Sequence, residues 1–318
     1  CEIMKDKKVV FMGTPTFAVP ILKYLIEATN VVLVVSQPNR EKDRKGNLID
    51  TPIKTLADTY NIPVFQPNKI KEEYQYIIDY QPDIIITCAY GQIIPTELLE
   101  YPKYKCINIH GSLLPKYRGG APIHHAIIDG EKETGITIMY MDKKMDSGDI
   151  ISKRSIPIGE DDTLDYIYNE MSNLGMELLK DTLPSIFNNT NTRIKQDENS
   201  VSFGLNITKE EEKINFNRTA RDIHNQIRGL SSIPGAYCLY NDKRMKVYGS
   251  VITTIKSKGT PGMIVSTDKQ GIYVNTKDYQ IILTDIKVEG KKRCLAKDYL
   301  NGIDKKELIG CVLKWKNF

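Results

Sequence analysis

Asn108 and His110 stand two residues apart in Cys106-Ile-Asn-Ile-His110, a run read as a β-strand. Period-two alternation sends both side chains to the same face. At the carboxyl end of a central strand, that face opens into the crevice where α/β sheets bind ligands. An amide and an imidazole there can donate to a developing oxyanion. Carboxylates are supplied by Tyr140-Met-Asp142-Lys-Lys-Met-Asp146-Ser-Gly-Asp149, a segment that follows another predicted strand. One of them beside the imidazole would orient the ring and favour its protonated form. Of the four histidines, His124 and His125 fall in a predicted helix and His224 in a basic region. His110 is therefore the best placed for acid–base work near neutral pH. Amide, imidazole and carboxylate without a Ser or Cys nucleophile fit direct acyl transfer to an amine.

The elements that would position these groups are legible as alternating β and α runs. Lys8–Met12, Val31–Val35, Asp83–Cys88, Cys106–His110 and Gly135–Tyr140 read as strands. Helices are expected through Ala18–Ala28, Thr51–Tyr60, Ile123–Asp129 and Leu164–Ile186. The continuous apolar run in Asp83–Cys88 suits a strand covered on both faces. This alternation predicts an α/β, Rossmann-like domain with a mainly parallel sheet. Pro115 and Gly119-Gly120 impose an irregular loop after His110, with unspent backbone donors and acceptors suited to a flat heterocyclic ligand. The turn Gly13-Thr-Pro15 is not a dinucleotide fingerprint, because Thr16 and Phe17 stand where further glycines are needed.

Polar residues from Asn188 to Ser200 suggest a linker. The expected division is residues 4–189 as a catalytic domain, 190–207 as linker and 208–318 as a C-terminal β-barrel (OB-like) domain. After a helix at Thr219–Ile227, the second domain shows short β runs at Ala236–Tyr240, Met245–Tyr248, Gly262–Ser266, Gly271–Asn275 and Ile281–Lys287. About five strands at that spacing fit a small barrel.

The chain has 318 residues, 41% hydrophobic and 26% charged, the composition of an ordinary soluble globular protein. Its net charge of +4 conceals two unlike halves. Up to Phe203 there are 23 Lys and Arg against 28 Asp and Glu, a net −5; from Gly204 onward there are 21 against 12, a net +9. That asymmetry suggests a working domain coupled to a polyanion-binding one. No run reaches the ~20 apolar residues of a membrane span, and the N-terminus lacks the apolar core of a signal peptide. Met4 reads as the natural start, with Cys1–Ile3 added ahead of it. The six cysteines form no CxxC pair, which argues against zinc or a disulfide framework and for a reducing, cytoplasmic setting. No metal is expected.

Asn108-Ile-His110-Gly-Ser-Leu-Leu-Pro115, with Asp146-Ser-Gly148 following and the aspartate 36 positions after the histidine, resembles the signature of the 10-formyltetrahydrofolate-dependent formyltransferases. The likeness to members that act on initiator methionyl-tRNA covers nearly the whole chain. It includes Phe11-Met-Gly-Thr-Pro15, Arg118-Gly-Gly-Ala-Pro122, Glu133-Thr-Gly-Ile-Thr137 and Ile227-Arg-Gly229. The resemblance implies a two-domain plan of Rossmann-like and OB-like parts, a formyl-donor folate as co-substrate and a catalytic trio at Asn108, His110 and Asp146. It also implies folate binding by Ser112, Leu113, Leu114 and Pro115, helped by Ala89, Tyr90 and Gly91. Contact with the tRNA acceptor end would fall to the loop holding Arg40, Lys42, Arg44 and Lys45. In the basic domain, Lys243, Arg244 and Lys246 are the expected tRNA patch, with Lys291–Arg293 a second. The family's usual Gly-Arg-Gly is Asp43-Arg44-Lys45 here, and its usual glycine two residues before the aspartate is Lys144. A monomer is expected. The alternatives are a relative formylating another amine, a folate-dependent formyl hydrolase, and an RNA-binding module on an inactive α/β domain.

Overall fold

A computed structural model describes residues 4–315; Cys1–Ile3, ahead of the expected start, and Lys316–Phe318 lie outside the described residues. The chain forms two compact units. The first comprises Cys1–Pro122, Glu133–Pro157 and Tyr168–Leu205; the second comprises Ile123–Lys132, Ile158–Ile167 and Asn206–Phe318.

The first unit is built on a seven-stranded sheet of β1 (Met4–Gly13), β2 (Thr29–Val35), β3 (Val64–Phe65), β4 (Ile84–Cys88), β5 (Cys106–His110), β6 (Glu133–Tyr140) and β7 (Ile150–Pro157), in the order β3-β2-β1-β4-β5-β6-β7. From β3 to β5 neighbouring strands run parallel; β6 and β7 are added antiparallel. The apolar runs explain the centre of the sheet. Every residue of β4 is buried, as are Val9 to Gly13 of β1, and branched aliphatics suit a strand covered on both faces.

Strand order reverses between β1 and β4, and the loops leaving β1, β2 and β4 are tied together there. Thr14 Oγ1 donates to the Tyr90 carbonyl at 3.0 Å and accepts from the Gln37 amide at 3.3 Å. On the other side of β5, the long helix Leu164–Phe187 packs at Gly175, where an added Cβ would stand 3.3 Å from the Ile109 side chain. Ile109 thus anchors one face of β5 while Asn108 and His110 occupy the opposite one.

The second unit is antiparallel: β8 (Ala236–Tyr240), β9 (Lys243–Lys256), β10 (Ile264–Thr267), β11 (Ile272–Val274), β12 (Tyr279–Val288) and the short β13 (Cys294–Leu295). The path β10-β11-β12-β9-β8 leaves two edges, and residues 310–314 bond to both. Lys314 exchanges backbone hydrogen bonds with Leu239, while the Leu313 amide donates to Gly262 and the Ile264 amide to Cys311. Joining the edges gives the β-barrel. Asn241 and Asp242, both with positive φ, make the β8–β9 turn, as two-residue hairpins require. Alternate residues such as Ala236, Cys238, Met245 and Val247 fill the core, against Ile223 and Ile227 of the helix Ala220–Gly229. Its N-cap Thr219 accepts from the Asp222 amide. β9 runs eight residues beyond the predicted Tyr248; its later part lacks buried alternation and is held by pairing with β12.

Candidate active site

Asn108 and His110 project from the carboxyl end of β5, between parallel β4 and antiparallel β6. Thr87 of β4 is the register partner of Asn108, and its hydroxyl donates to Asn108 Oδ1 at 2.8 Å. That bond fixes the amide orientation and leaves both Nδ2 hydrogens for another acceptor. The signal for Thr87 was a lone hydroxyl within the apolar run Ile84-Ile-Ile-Thr-Cys88, which sequence reading passed over.

His110 is buried, and its Nε2 lies 2.9 Å from the carbonyl oxygen of Tyr117. A carbonyl can only accept, so Nε2 carries a hydrogen. Nδ1 faces Asp146, with Oδ2 at 3.8 Å. Protonation of the ring would therefore place a second N–H on the Asp146 side, with a carboxylate nearby to offset the charge.

Asp146 has φ +51° and presents Oδ2 to the backbone amide of Gly119 at 2.8 Å. The three carboxylates of its segment separate clearly. Asp142 accepts from the neighbouring Lys143 amide, and Asp149 pairs with Arg193 at 2.7 Å. Asp146 is the one brought beside His110. Gly148 is required by crowding, since a Cβ there would collide with the Tyr140 carbonyl. Gly119 has φ +125°, and a Cβ on it would sit 2.7 Å from the Gly204 carbonyl.

The loop Ser112–Pro115 is ordered by Thr137, whose hydroxyl donates to the Ser112 carbonyl at 2.6 Å and accepts from the Leu114 amide at 3.0 Å. Ser112 Oγ donates to the Lys116 carbonyl, and Lys153 Nζ to that of Leu114. Leu114 packs into a small cluster with Met139 and Ile150, while Leu113 is half-buried. The Leu114–Pro115 peptide is cis. Across the crevice, Ala89 and Gly91 both take positive φ around Tyr90. The buried Tyr90 hydroxyl has no hydrogen-bond partner, and burial, assisted by Glu73, raises its pKa. Gly91 also lines an open groove of about 780 Å³ with Arg40, Lys69, Lys71 and Lys143.

Sequence reading missed how residues 188–205 take part in this unit. Ser202 and Gly204 exchange backbone hydrogen bonds with Arg118, and the Gly204 carbonyl accepts from the Ala121 amide. Gln196 reaches the Asp146 loop directly: Nε2 donates to the carbonyls of Asp146 and Gly148, both at 2.8 Å. The buried Arg118 guanidinium binds Gln196 Oε1 and Glu198. Its hydrogen bond to Glu198 holds that exposed carboxyl below its ordinary pKa. Lys144, where the family usually has glycine, pairs with the same Glu198 at 3.6 Å. No periodic pattern marks Gln196, so nothing local singled it out.

Of the basic residues expected to meet tRNA, all but Lys246 are exposed. Arg40, Lys42, Arg44 and Lys45 are on an exposed loop closed by a Lys42–Leu48 bridge. Asp43 Oδ1 accepts from the Lys45 and Asn47 amides, and Gly46 supplies the positive φ, so the turn forms without the usual flanking glycines. In the second unit, Lys243 and Arg244 are exposed. The Arg244 guanidinium stacks over Tyr237 at 4.3 Å, and half-buried Lys246 donates Nζ to the Pro234 carbonyl at 2.7 Å. Among the described residues no group of His, Cys, Asp and Glu could hold a metal ion, and no helix is long and apolar enough to cross a membrane.

An amide and an imidazole at the carboxyl end of a Rossmann-like sheet, in a chain that goes on to a β-barrel, suit a group transferase, and comparison gives the family. Residues 7–183 match the formyl transferase family and residues 206–304 its C-terminal domain. A methionyl-tRNA formyltransferase of Malacoplasma penetrans is 48% identical over 311 residues, 98% of each chain. One of Staphylococcus epidermidis is 48% identical over 309 residues, covering 96% of this chain and 99% of that one. Among solved structures, the sugar 3N-formyl transferase WlaRD aligns with a TM-score of 0.64 at 23% identity, over 92% of this chain and 100% of its own; that likeness shows the fold. The chain belongs to the methionyl-tRNA formyltransferases within the formyl transferase family.

Proposed function

We propose that Asn108, His110 and Asp146 carry the reaction of this family in this chain. That reaction moves the formyl group of 10-formyltetrahydrofolate to the α-amino group of initiator methionyl-tRNA, giving N-formylmethionyl-tRNA for translation initiation. The donor supplies an electrophilic formyl carbon and N10 as the leaving nitrogen. The neutral methionine amine attacks that carbon, a new N–C bond forms and the bond to N10 breaks. Asn108 Nδ2 and protonated His110 Nδ1 donate to the formyl oxygen as it gains charge. Asp146 offsets the imidazolium and, directly or through water, helps carry the amine proton to N10.

The observation that carries this reading is the pairing of two groups whose other ends are already occupied. Thr87 holds Asn108 Oδ1 and the Tyr117 carbonyl holds His110 Nε2, which leaves Nδ2 and Nδ1 for the reaction. The donor folate is held between Ser112–Pro115 and Ala89–Gly91, loops tied by the Thr137 and Thr14 hydroxyls respectively, with the unpartnered Tyr90 hydroxyl available to a polar ligand edge. The catalytic role then falls to the first compact unit, residues 190–205 included, and the tRNA-binding role to the second. Arg40, Lys42, Arg44 and Lys45 contact the acceptor end; Lys243, Arg244 and Lys246 contact phosphates, with Arg244 seated over the buried Tyr237 ring. The enzyme acts as a monomer in the cytoplasm, which a single species of monomer mass in light scattering would match.

Tetrahydrofolate release, measured with methionyl-tRNA, uncharged tRNA and small amines as acceptors, tests the reading. Fast release is expected with methionyl-tRNA alone; comparable release with a free amino sugar or with water would overturn it. The kcat/KM for methionyl-tRNA should also fall steeply with salt, and the slope should flatten when Lys243 and Arg244 become alanine. An unchanged slope would reduce that patch to solvated charge.

A further inference from the structure

We propose that Gln196 is a positioning residue for formyl transfer: its carboxamide clamps the backbone on both sides of Ser147 and so holds the Asp146 carboxylate in register beside His110. The inference rests on the reading of Asp146 given above. Gln196 is 4% exposed and uses every polar atom of its side chain. Both Nε2 hydrogens go to carbonyls of the loop, at Asp146 and Gly148. Oε1 receives Arg118 Nε at 3.1 Å and Nη2 at 2.9 Å.

Those bonds complete a ring. Gly119, next to Arg118, donates its amide to Asp146 Oδ2, so the carboxylate and the carbonyl of Asp146 are gripped by one connected set of groups. The grip matters because Asp146 occupies the left-handed region, φ +51°, which a non-glycine residue holds only when its surroundings impose it. A displacement of about 1 Å in a reacting group can cost about 10²-fold in rate.

The chemistry of the position is selective. A carboxamide donates twice and accepts twice from one planar group. A carboxylate would satisfy Arg118 but set oxygen against two carbonyl oxygens. Q196E therefore separates the two jobs: it keeps the anchor for the buried guanidinium and removes the clamp on Asp146.

The test compares Q196E, D146A and the double variant by kcat, by KM for methionyl-tRNA and for the formyl donor, and by Tm. For Q196E, kcat should fall by about 10- to 100-fold, with each KM within about twofold and Tm within a few degrees of wild type. In the D146A background the same change should cost less than about twofold, because Gln196 acts through Asp146. Wild-type kcat for Q196E overturns the clamp, and so does an equal loss in the two backgrounds. Should Q196E fail to fold, Q196M replaces it under the same readouts. A D146A enzyme with wild-type turnover overturns the reading of the site, and the clamp with it, a result distinguishable from failure of the clamp alone.

Discussion

The two halves of the site are held by different means. Asn108 and His110 stand on β5, a strand paired on both sides and buried on its far face through Ile109. Asp146 stands on an irregular connection between β6 and β7, where the Tyr140 amide donates to Asp149, the Met141 amide to Cys106 and Gln196 to two carbonyls. A strand fixes a side chain through many equivalent ladder bonds, so losing one neighbour changes little. A loop depends on a few bonds and on crowding at one glycine. On the proposed mechanism, the donors that need a fixed separation stand on the rigid half, and the group that helps move a proton stands on the half with fewer constraints.

The largest effect should come from the rigid half itself. His110→Ala and Asn108→Ala each remove a proposed donor to the developing oxyanion, and kcat should fall by about 10²- to 10³-fold, the usual cost of one such donor. The loss should appear in single-turnover formylation with KM for methionyl-tRNA little changed. Near-normal turnover in either variant would sink the assignment of these residues.

Next in size is a break in the loop half. Gly148→Ala drives a Cβ into the Tyr140 carbonyl and must displace the turn that follows Asp146. Turnover should drop by roughly 10-fold or more, as expected when a reacting group is misplaced. The Tm should fall by only a few degrees, because the damage is confined to one connection. If Tm instead collapses, the loop is part of the folding core and the contrast between the halves is wrong.

The same contrast explains what was legible in the sequence. Alternation in Cys106–His110 and the apolar runs of β1 and β4 each betray a strand, because burial on a sheet repeats every two residues or covers both faces. Strand spacing reveals the second unit's barrel but not the length of β9, because Ser250 to Lys256 pair through backbone atoms and show no buried alternation. The helices Ile70–Glu73 and Gln75–Ile78 are too brief for a 3.6-residue period to show. Residues 190–207 read as linker because they lack periodic apolar positions. Their attachment comes instead from polar bonds at Gln196, Glu198 and Ser202, which depend on where the chain returns in space. Asp146 became identifiable among three carboxylates only through the family signature, and its geometry supplies the physical reason: Asp142 and Asp149 have other partners.

The smallest effect sharpens the comparison most. Thr87 and Asn108 are cross-strand partners, and one hydroxyl hydrogen fixes the amide of Asn108. Thr87→Val preserves shape and strand propensity but leaves Oδ1 without its donor, so the amide is free to turn its oxygen toward the site in a fraction of molecules. Because β4 and β5 stay paired, the backbone of Asn108 should not move. A loss of about 3- to 10-fold in kcat is expected, the worth of roughly one net hydrogen bond, with KM and Tm nearly unchanged. Thr87→Ser should restore most of the rate, since it returns the hydroxyl without the methyl group. A Thr87→Val enzyme at full rate would mean that ladder pairing alone orients the amide, making the rigid half more redundant than its hydrogen bonds suggest. A loss as large as that of Asn108→Ala would mean the reverse: even on a strand, one side-chain bond decides whether the donor faces the reaction.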